Sequence, residues 1–422
     1  MTASPASSTT HLTEGQQRAL DMVIRATQSH EPAVCVVGGY AGTGKTFLVR
    51  TIAEECGTPR IITPTGKAAL RVRELTGLDA STIHRWLYKP MEDRDTGVIK
   101  FHRAALDEIE IPASRIVVLD EASMVGADIA RDVFQVCKDL YLTLVVVGDL
   151  FQLPPVVPPG SPPFSLLSPG FAQSIGAERV ELTEILRQAQ DSPIIRASMR
   201  LRQGERMGAL QEIPFLGVDQ LWTAAYQVFQ AGGITVCHKN ATRFQLNAGL
   251  RQMFGYSGME LPQPGEPLLV LKNNYDLGYF NGETVLFEKW VKAPADRETI
   301  RDRYKNITEY VKFGCATVGD CRAIMAVEEL HGRLSSGLST ISRGGKKWAL
   351  REGVWTGDQV ASQLHANFGY CYTAHKSQGS QWPYVLVILE SSIRLNEEEG
   401  RRWTYTAITR AEKTVAIYPG GV

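Results

Sequence analysis

Short apolar runs recur through the first half of the chain, each followed by a stretch where apolar positions return every three or four residues. Apolar runs rich in β-branched residues and bounded by Gly, Pro or Asp read as strands. The longer period reads as amphipathic helix. The pattern predicts strands at Ala33–Gly38, Arg60–Thr63, Arg115–Leu119 and Leu142–Val147, and helices at Thr46–Cys56, Gly66–Leu75 and Asp128–Leu140. Such alternation implies a parallel sheet. Ligands of these sheets bind at the carboxyl ends of the strands. Gly39–Thr46, Thr63-Pro64-Thr65, Asp120-Glu121 and Gly148-Asp149 all follow predicted strands, so they are expected to converge on one edge.

Tyr88 to Pro112 interrupts the alternation. Its turn cluster Asp93-Arg94-Asp95-Thr96-Gly97 predicts a small inserted hairpin. Six prolines between Pro154 and Pro163 make a stiff surface connection. The pattern resumes with a helix at Asp191–Arg202, a strand at Ile234–Cys237 and a helix at Thr242–Phe254. From Glu266 to about Leu364 the chain is strand-like and turn-rich, without long amphipathic helices, and reads as a β insertion. Strands at Tyr370–Thr373, Tyr384–Leu389 and Thr414–Tyr418 and a helix at Glu397–Arg410 complete a second α/β region. The expected domains are a leader (1–10), a first α/β domain (11–184, hairpin about 88–112), a second (185–264 and 365–422), and a β insertion (265–364).

Composition narrows the field only modestly. Across 422 residues the 45 Lys and Arg balance the 45 Asp and Glu, so a polyanion site must be a local groove. Seven cysteines without a C-x-x-C pair suggest buried thiols in a reducing, cytoplasmic compartment. The leader lacks the basic and apolar regions of a signal peptide, and no apolar stretch approaches membrane-spanning length.

The sharpest chemistry is Gly39-Tyr40-Ala41-Gly42-Thr43-Gly44-Lys45-Thr46, a G-x-x-x-x-G-K-[ST] loop between strand and helix. Such loops turn successive backbone N–H groups inward around a triphosphate. Here Lys45 would reach the β- and γ-phosphates and the Thr46 hydroxyl would ligate Mg²⁺. Asp120-Glu121 ends the apolar strand that begins near Arg115. The first acid suits Mg²⁺ and the second suits the attacking water, although taken alone the pair also fits an exposed acidic turn. Gln152, in Gly148-Asp149-Leu150-Phe151-Gln152-Leu153-Pro154-Pro155, follows a neighbouring strand and suits sensing of the γ-phosphate.

Asp120-Glu121-Ala122-Ser123-Met124 followed by Gly148-Asp149-x-x-Gln152-Leu153-Pro154-Pro155 resembles the superfamily 1 helicases of the RecD/Dda-like branch. Leu12-Thr13-Glu14-Gly15-Gln16 is similar to its Q motif, in which Gln16 would read the adenine edge. Thr63–Ala69 resembles motif Ia, and Ser81-Thr82-Ile83-His84 the following DNA-contact motif. Leu182–Gln188 resembles motif IV, Thr373–Ser380 motif V, and Tyr405–Ala411 motif VI, which would make Arg187 and Arg410 arginine fingers. Gly379 and Gln381 would lie on the nucleotide; related chains often carry an acid at the latter position.

The resemblance implies two RecA-like parallel-sheet P-loop domains, a pin hairpin in the first and an SH3-like β insertion in the second. It implies ATP and Mg²⁺ as cofactors, with hydrolysis at the cleft between the domains, and 5′-to-3′ movement on single-stranded DNA up to duplex junctions. Thr65, Thr82, His84, Asn240, Thr373 and His375 would contact the strand. Trp86, Tyr88, Phe101 and Tyr275 are stacking candidates that also fit core packing. The β insertion would suit a protein partner. A motor subunit of a larger repair, recombination or defence complex, and an RNA-directed ATPase of the same superfamily, share these residues. A nucleotide-gated binding module would not need the full hydrolytic set.

Overall fold

The computed structural model describes residues 12–92, 99–156, 160, 164–186, 191–274, 276–302, 307–334, 341–354 and 362–421. The turn cluster Asp93–Gly97, Arg187 and Tyr275 therefore lie outside the described residues. The chain divides into two units. The first holds residues up to Pro64, Val72–Ser81 and Ala104–Asp191. The second holds Thr65–Arg71, Thr82–Arg103 and Ser192–Val422.

The first unit opens on helix α1 (Glu14–Gln28), whose N-cap Thr13 forms a reciprocal capping box with Gln16. A six-stranded sheet follows, built from β1 (Ala33–Gly39), β2 (Arg60–Thr63), β3 (Ala80–Thr82), β6 (Ile116–Leu119), β7 (Thr143–Gly148) and β8 (Glu178–Leu182) in the order β3-β2-β6-β7-β1-β8. Strand β7 lies between β6 and β1, parallel to both, with Val118↔Val145 and Cys35↔Val145 in register. Val36, Val37, Val117, Val118, Leu144, Val145 and Val146 are fully buried, which is why these strands read as unbroken apolar runs. Helices α2 (Lys45–Cys56), α3 (Gly66–Thr76), α4 (Ile83–Leu87), α5 (Ala127–Asp139) and α6 (Pro169–Ser174) complete the first half of the chain. Boundaries shift by a residue or two from the sequence expectation for local reasons. Arg115 sits at φ 56°, so β6 starts one residue later.

An antiparallel pair, β4 (Tyr88–Glu92) with β5 (Ile99–Arg103), runs in register from Tyr88↔Arg103 to Glu92↔Ile99. In the second unit, β9 (Ile234–Cys237), β17 (Cys371–Thr373), β18 (Trp382–Leu389) and β19 (Ala411–Pro419) form a parallel sheet in the order β17-β9-β18-β19. Helices α7 (Pro193–Arg202), α8 (Leu221–Gln230) and α9 (Asn240–Met253) precede or follow β9 in the chain.

The insertion is built on β10 (Pro267–Val270), β11 (Thr284–Lys292), β12 (Arg297–Asp302), β13 (Ile307–Val318), β14 (Cys321–Ala326), β15 (Ser362–Gln363) and β16 (Ala366–Phe368), in the order β15-β14-β13-β11-β10-β16, with β12 on β13. The short helix α10 (Val327–Leu330) follows β14. One expectation fails here: the insertion is not free of longer helix. Helix α11 (Ile341–Arg351) packs Trp348 and Ala349 into a core with Ile300, Val311, Phe313 and Ile324. The helix carries the pair Gly344-Gly345. A Cβ at Gly344 would lie 2.1 Å from Ile300 Cδ1, so the glycines serve close packing. Helices α12 (Ala374–Ser377) and α13 (Glu398–Ile408) complete the chain.

Candidate nucleotide and strand-binding sites

In the first unit the nucleotide residues sit at the carboxyl ends of three adjacent parallel strands. Gly39 ends β1, Asp120-Glu121 follows β6, and the turn carrying Gln152 follows β7. Gly42 (φ 80°) and Gly44 (φ 75°) adopt the left-handed conformation that lets the loop fold back before α2. The Lys45 ammonium donates to the Gly39 and Tyr40 carbonyls, both at 2.9 Å, so the loop's own backbone holds it. The Thr43 hydroxyl donates to Tyr40 O at 2.9 Å, and half-buried Thr46 occupies the first turn of α2.

Gln16 is fully buried. Its Oε1 accepts from Thr13 N (3.0 Å) and its Nε2 donates to Thr43 O (2.9 Å). It thus ties α1 to the loop, leaving one amide hydrogen and one lone pair for another partner.

Asp120 is 8% exposed, and its Oδ1 accepts from Glu121 N at 2.8 Å. Glu121 is held at φ 53°, ψ 39°, a strained conformation for a residue with a side chain. Its Oε2 is buried and has no hydrogen-bond partner among the described residues. Gly148 permits this turn: a Cβ there would meet Ala122 N at 3.1 Å. Asp149 accepts from Phe151 N (3.0 Å), and Gln152 N donates to Asp149 O (3.2 Å), which fixes the Gln152 turn.

These residues fit a nucleotide with its cation. A Cβ at Gly39 would meet Thr43 Oγ1 at 2.8 Å and Lys45 Cγ at 3.2 Å, so the glycine lets the loop fold closely on the end of β1. The orphaned Glu121 oxygen supplies an acceptor for water. Thr46 and Asp120 would hold the cation, while Gly39, Gly42, Thr43, Gly44 and Lys45 would hold phosphates. Among the described residues no group of three His, Cys, Asp or Glu is placed to hold a metal ion.

The second unit holds the remaining candidates. Thr65, Thr82 and Thr373 each cap a helix: their hydroxyl oxygens accept from Ala68 N (3.2 Å), Arg85 N (3.2 Å) and Lys376 N (3.4 Å). Thr373 pairs in register with Cys237, so motif V and the β9 end carrying exposed Asn240 are neighbours. Asn240 Oδ1 accepts from Arg243 Nε at 3.3 Å. Burial lowers the pKa of His84. That of His375 is lowered by burial first and by His238 second. His84 packs 5.2 Å from Tyr88 and 5.5 Å from Phe101. Phe101 is 41% exposed, whereas Trp86 is 5% exposed and belongs to the core.

Arg410 is 4% exposed and held by Thr406 O (3.0 Å), Ser380 O (3.2 Å) and Thr409 Oγ1 (3.3 Å). Gly379 (φ 72°) lies against motif Ia: a Cβ there would meet Ala68 Cβ at 3.0 Å and Thr65 Oγ1 at 3.3 Å. Exposed Gln381 accepts from Arg71.

Two features escaped the sequence reading. Buried Glu390 accepts from His238 N (2.9 Å) and Lys239 N (3.1 Å) and so anchors the turn before Asn240; its place just after an apolar strand was the available signal. The Lys67 ammonium lies 4.3 Å from the Trp382 ring and 5.1 Å from the Tyr372 ring, three positions that sequence separation hides.

Comparison with known proteins agrees with the geometry. Residues 11–214 match the AAA domain model and residues 368–418 match the UvrD-like helicase C-terminal domain. The chain is 28% identical over 401 residues to the ATP-dependent RecD2 DNA helicase of Deinococcus radiodurans, a match spanning 89% of this chain and 45% of that protein. It is 27% identical to the RecBCD enzyme subunit RecD of Mycolicibacterium smegmatis, over 90% of this chain and 67% of that one. The chain thus spans under half the length of its RecD2 relative. A Pif1 helicase from Bacteroides, solved in complex with ADP-AlF3 and ssDNA, shares the fold at TM-score 0.51 and 18% identity, over 96% of this chain and 92% of that one.

Loop, sheet and matched fold together define a P-loop nucleotide-binding protein with two RecA-like units. Within that class the chain is similar to the RecD/Pif1-like superfamily 1 helicases.

Proposed function

We propose that the chain is an ATP-dependent DNA helicase or translocase that moves 5′ to 3′ on single-stranded DNA and opens duplex at junctions, using Mg-ATP. The observation that carries this reading is the placement of the P-loop, the Asp120-Glu121 turn and the Gln152 turn at the ends of β1, β6 and β7, which are adjacent parallel strands. When bound, Mg-ATP supplies the transferable phosphoryl group and its charge-neutralising cation. Lys45 and the loop N–H groups orient the phosphates. Glu121 holds and polarises water through its unpaired oxygen. Arg187 and Arg410 add positive charge as fingers. Gln16 is assigned to the adenine edge, and Gly379 and Gln381 to the nucleotide.

Thr65, Thr82, His84, Asn240, Thr373 and His375 are assigned to the strand backbone, where neutral donors position without reading sequence. The β4–β5 hairpin is assigned as the pin, the β insertion as an SH3-like partner surface, and the compartment as cytoplasmic. The RecD relative, named as a RecBCD subunit, supports a second reading, a motor within a larger assembly. Duplexes with a 5′ or a 3′ tail separate the outcomes. Unwinding from the 5′ tail alone is expected; unwinding from the 3′ tail alone overturns the polarity. Strand-stimulated ATP hydrolysis without unwinding favours the assembly reading.

A further inference from the structure

A single turn of the β insertion grips both motif Ia and motif V. Gly66, the first residue of α3, is buried, and a Cβ there would lie 2.2 Å from Phe280 Cβ and 2.3 Å from Phe280 Cγ. Gly66 has an ordinary backbone conformation, so the glycine is demanded by the Phe280 side chain lying on its α-carbon rather than by its φ.

The residues flanking Phe280 are tied by hydrogen bonds. Asn274 and Tyr279 exchange backbone hydrogen bonds at 2.7 and 3.0 Å. Phe280 N donates to Glu283 Oε2 at 2.9 Å, and Asn281 N to Asn273 Oδ1 at 2.9 Å. Tyr279 OH donates to Val318 O at 2.8 Å, anchoring the turn to β13. Four residues beyond Phe280, the Thr284 hydroxyl bonds the hydroxyl of fully buried Tyr372, which also reaches Gly282 O at 3.4 Å. Tyr372 immediately precedes Thr373, and Thr65 immediately precedes Gly66. Lys67, next to Gly66, closes the loop by resting on the Tyr372 and Trp382 rings.

We propose that the Phe280–Thr284 turn is a positioning clamp through which the β insertion sets the relative placement of Thr65 and Thr373, and hence the grip on a strand. The inference rests on the strand-motor reading. Phe280 acts through Gly66, and Thr284 acts through Tyr372; neither touches nucleotide.

The test is ATP hydrolysis titrated with a 20-residue oligothymidylate. In Phe280→Ala the half-saturating strand concentration rises about tenfold, equivalent to about 1.4 kcal/mol, while the strand-free rate and the saturated rate stay within about twofold of the parent. Thr284→Val shifts half-saturation in the same direction, and Phe280→Leu, which keeps bulk on Gly66, restores it. Gly66→Ala alone weakens the strand, and adding Phe280→Ala produces no further loss, because the methyl then occupies the vacated space. Unchanged half-saturation in both Phe280→Ala and Thr284→Val, or additive losses in the double variant, overturns the clamp. A parent whose hydrolysis no strand stimulates overturns the motor reading itself, a separate result.

Discussion

Glu121 concentrates the chemistry of the first unit in one residue. A left-handed conformation costs about 1 kcal/mol for a residue with a Cβ, and a buried carboxylate oxygen without a partner adds a desolvation cost. Both are tolerated where a bound water and cation supply the missing contacts. Glu121→Gln is therefore expected to lower hydrolysis by roughly a hundredfold or more, with ATP affinity within about threefold by nucleotide titration. An unaffected rate would remove Glu121 from the water's side. Lys67 is the second informative residue. Burial pushes its ammonium down to about 8, partly countered by Glu283 and reinforced by Arg71. A folded-state pKa below the unfolded value means that the protonated form burdens the fold. The burden is full below about 8 and fades as pH rises toward 10.5. The two aromatic faces return about 1–2 kcal/mol. Lys67→Met should thus melt no lower than the parent at pH 7, with any advantage vanishing by pH 10.5. A lower melting temperature at pH 7 would show that the aromatic contacts dominate.

At the scale of elements, α1 shows what was legible and what was not. Its capping-box signature Thr13-x-x-Gln16 stands in the sequence, yet the helix itself went unassigned beside the resemblance of that stretch to a nucleotide motif. The structure joins the two roles, since Gln16 bonds both Thr13 N and Thr43 O. Gln16→Ala leaves a buried donor and acceptor unsatisfied, a loss of about 1–3 kcal/mol, and should lower the melting temperature by several degrees. If Gln16 also reads adenine, preference for ATP over GTP falls in the same variant; if it only anchors the loop, both nucleotides weaken alike. Steady-state KM values for the two nucleotides decide. The strands carrying the P-loop and the acidic pair were legible because buried parallel strands are unbroken apolar runs ended by Gly or Asp. Helix α8 went unassigned although its exposed Thr223, Gln227 and Gln230 recur at helical spacing opposite buried Leu221 and Ala225. Other elements were hidden for physical reasons. Strand β8 is a charged edge strand, Glu178-Arg179-Val180-Glu181-Leu182. Helix α11 carries the glycine pair that its packing requires. Residues joined through long-range packing, Lys67 with Trp382 and Gly66 with Phe280, left no local signal at all.

For the whole molecule the decisive quantity is charge. Forty-five basic residues balance forty-five acidic ones, and the residues assigned to the strand are three threonines, an asparagine and two histidines. Burial holds both histidines below their ordinary pKa, with His238 lowering and Glu399 raising that of His375, so both are neutral at pH 7.5. Of the cations adjoining these segments, which include Arg85, Lys239 and Arg243, Lys67 and Lys376 are each pushed down to about 8 by burial. Each neutralised phosphate of a single strand contributes a slope of about −0.7 in log K against log salt. Affinity for oligothymidylate at pH 7.5 should therefore fall with a shallow slope of about −1 to −2, and not with the steep slope of a basic nucleic-acid binder. Because both histidines are held below their ordinary range, acidification past that range should protonate them against phosphate, tightening binding and steepening the slope by about −0.7 per histidine engaged. His84→Gln and His375→Gln should each abolish their share of that steepening while leaving the slope at pH 7.5 unchanged. A slope already steep at pH 7.5 would place the strand on other, cationic residues, and a slope of zero would mean that no phosphate is held.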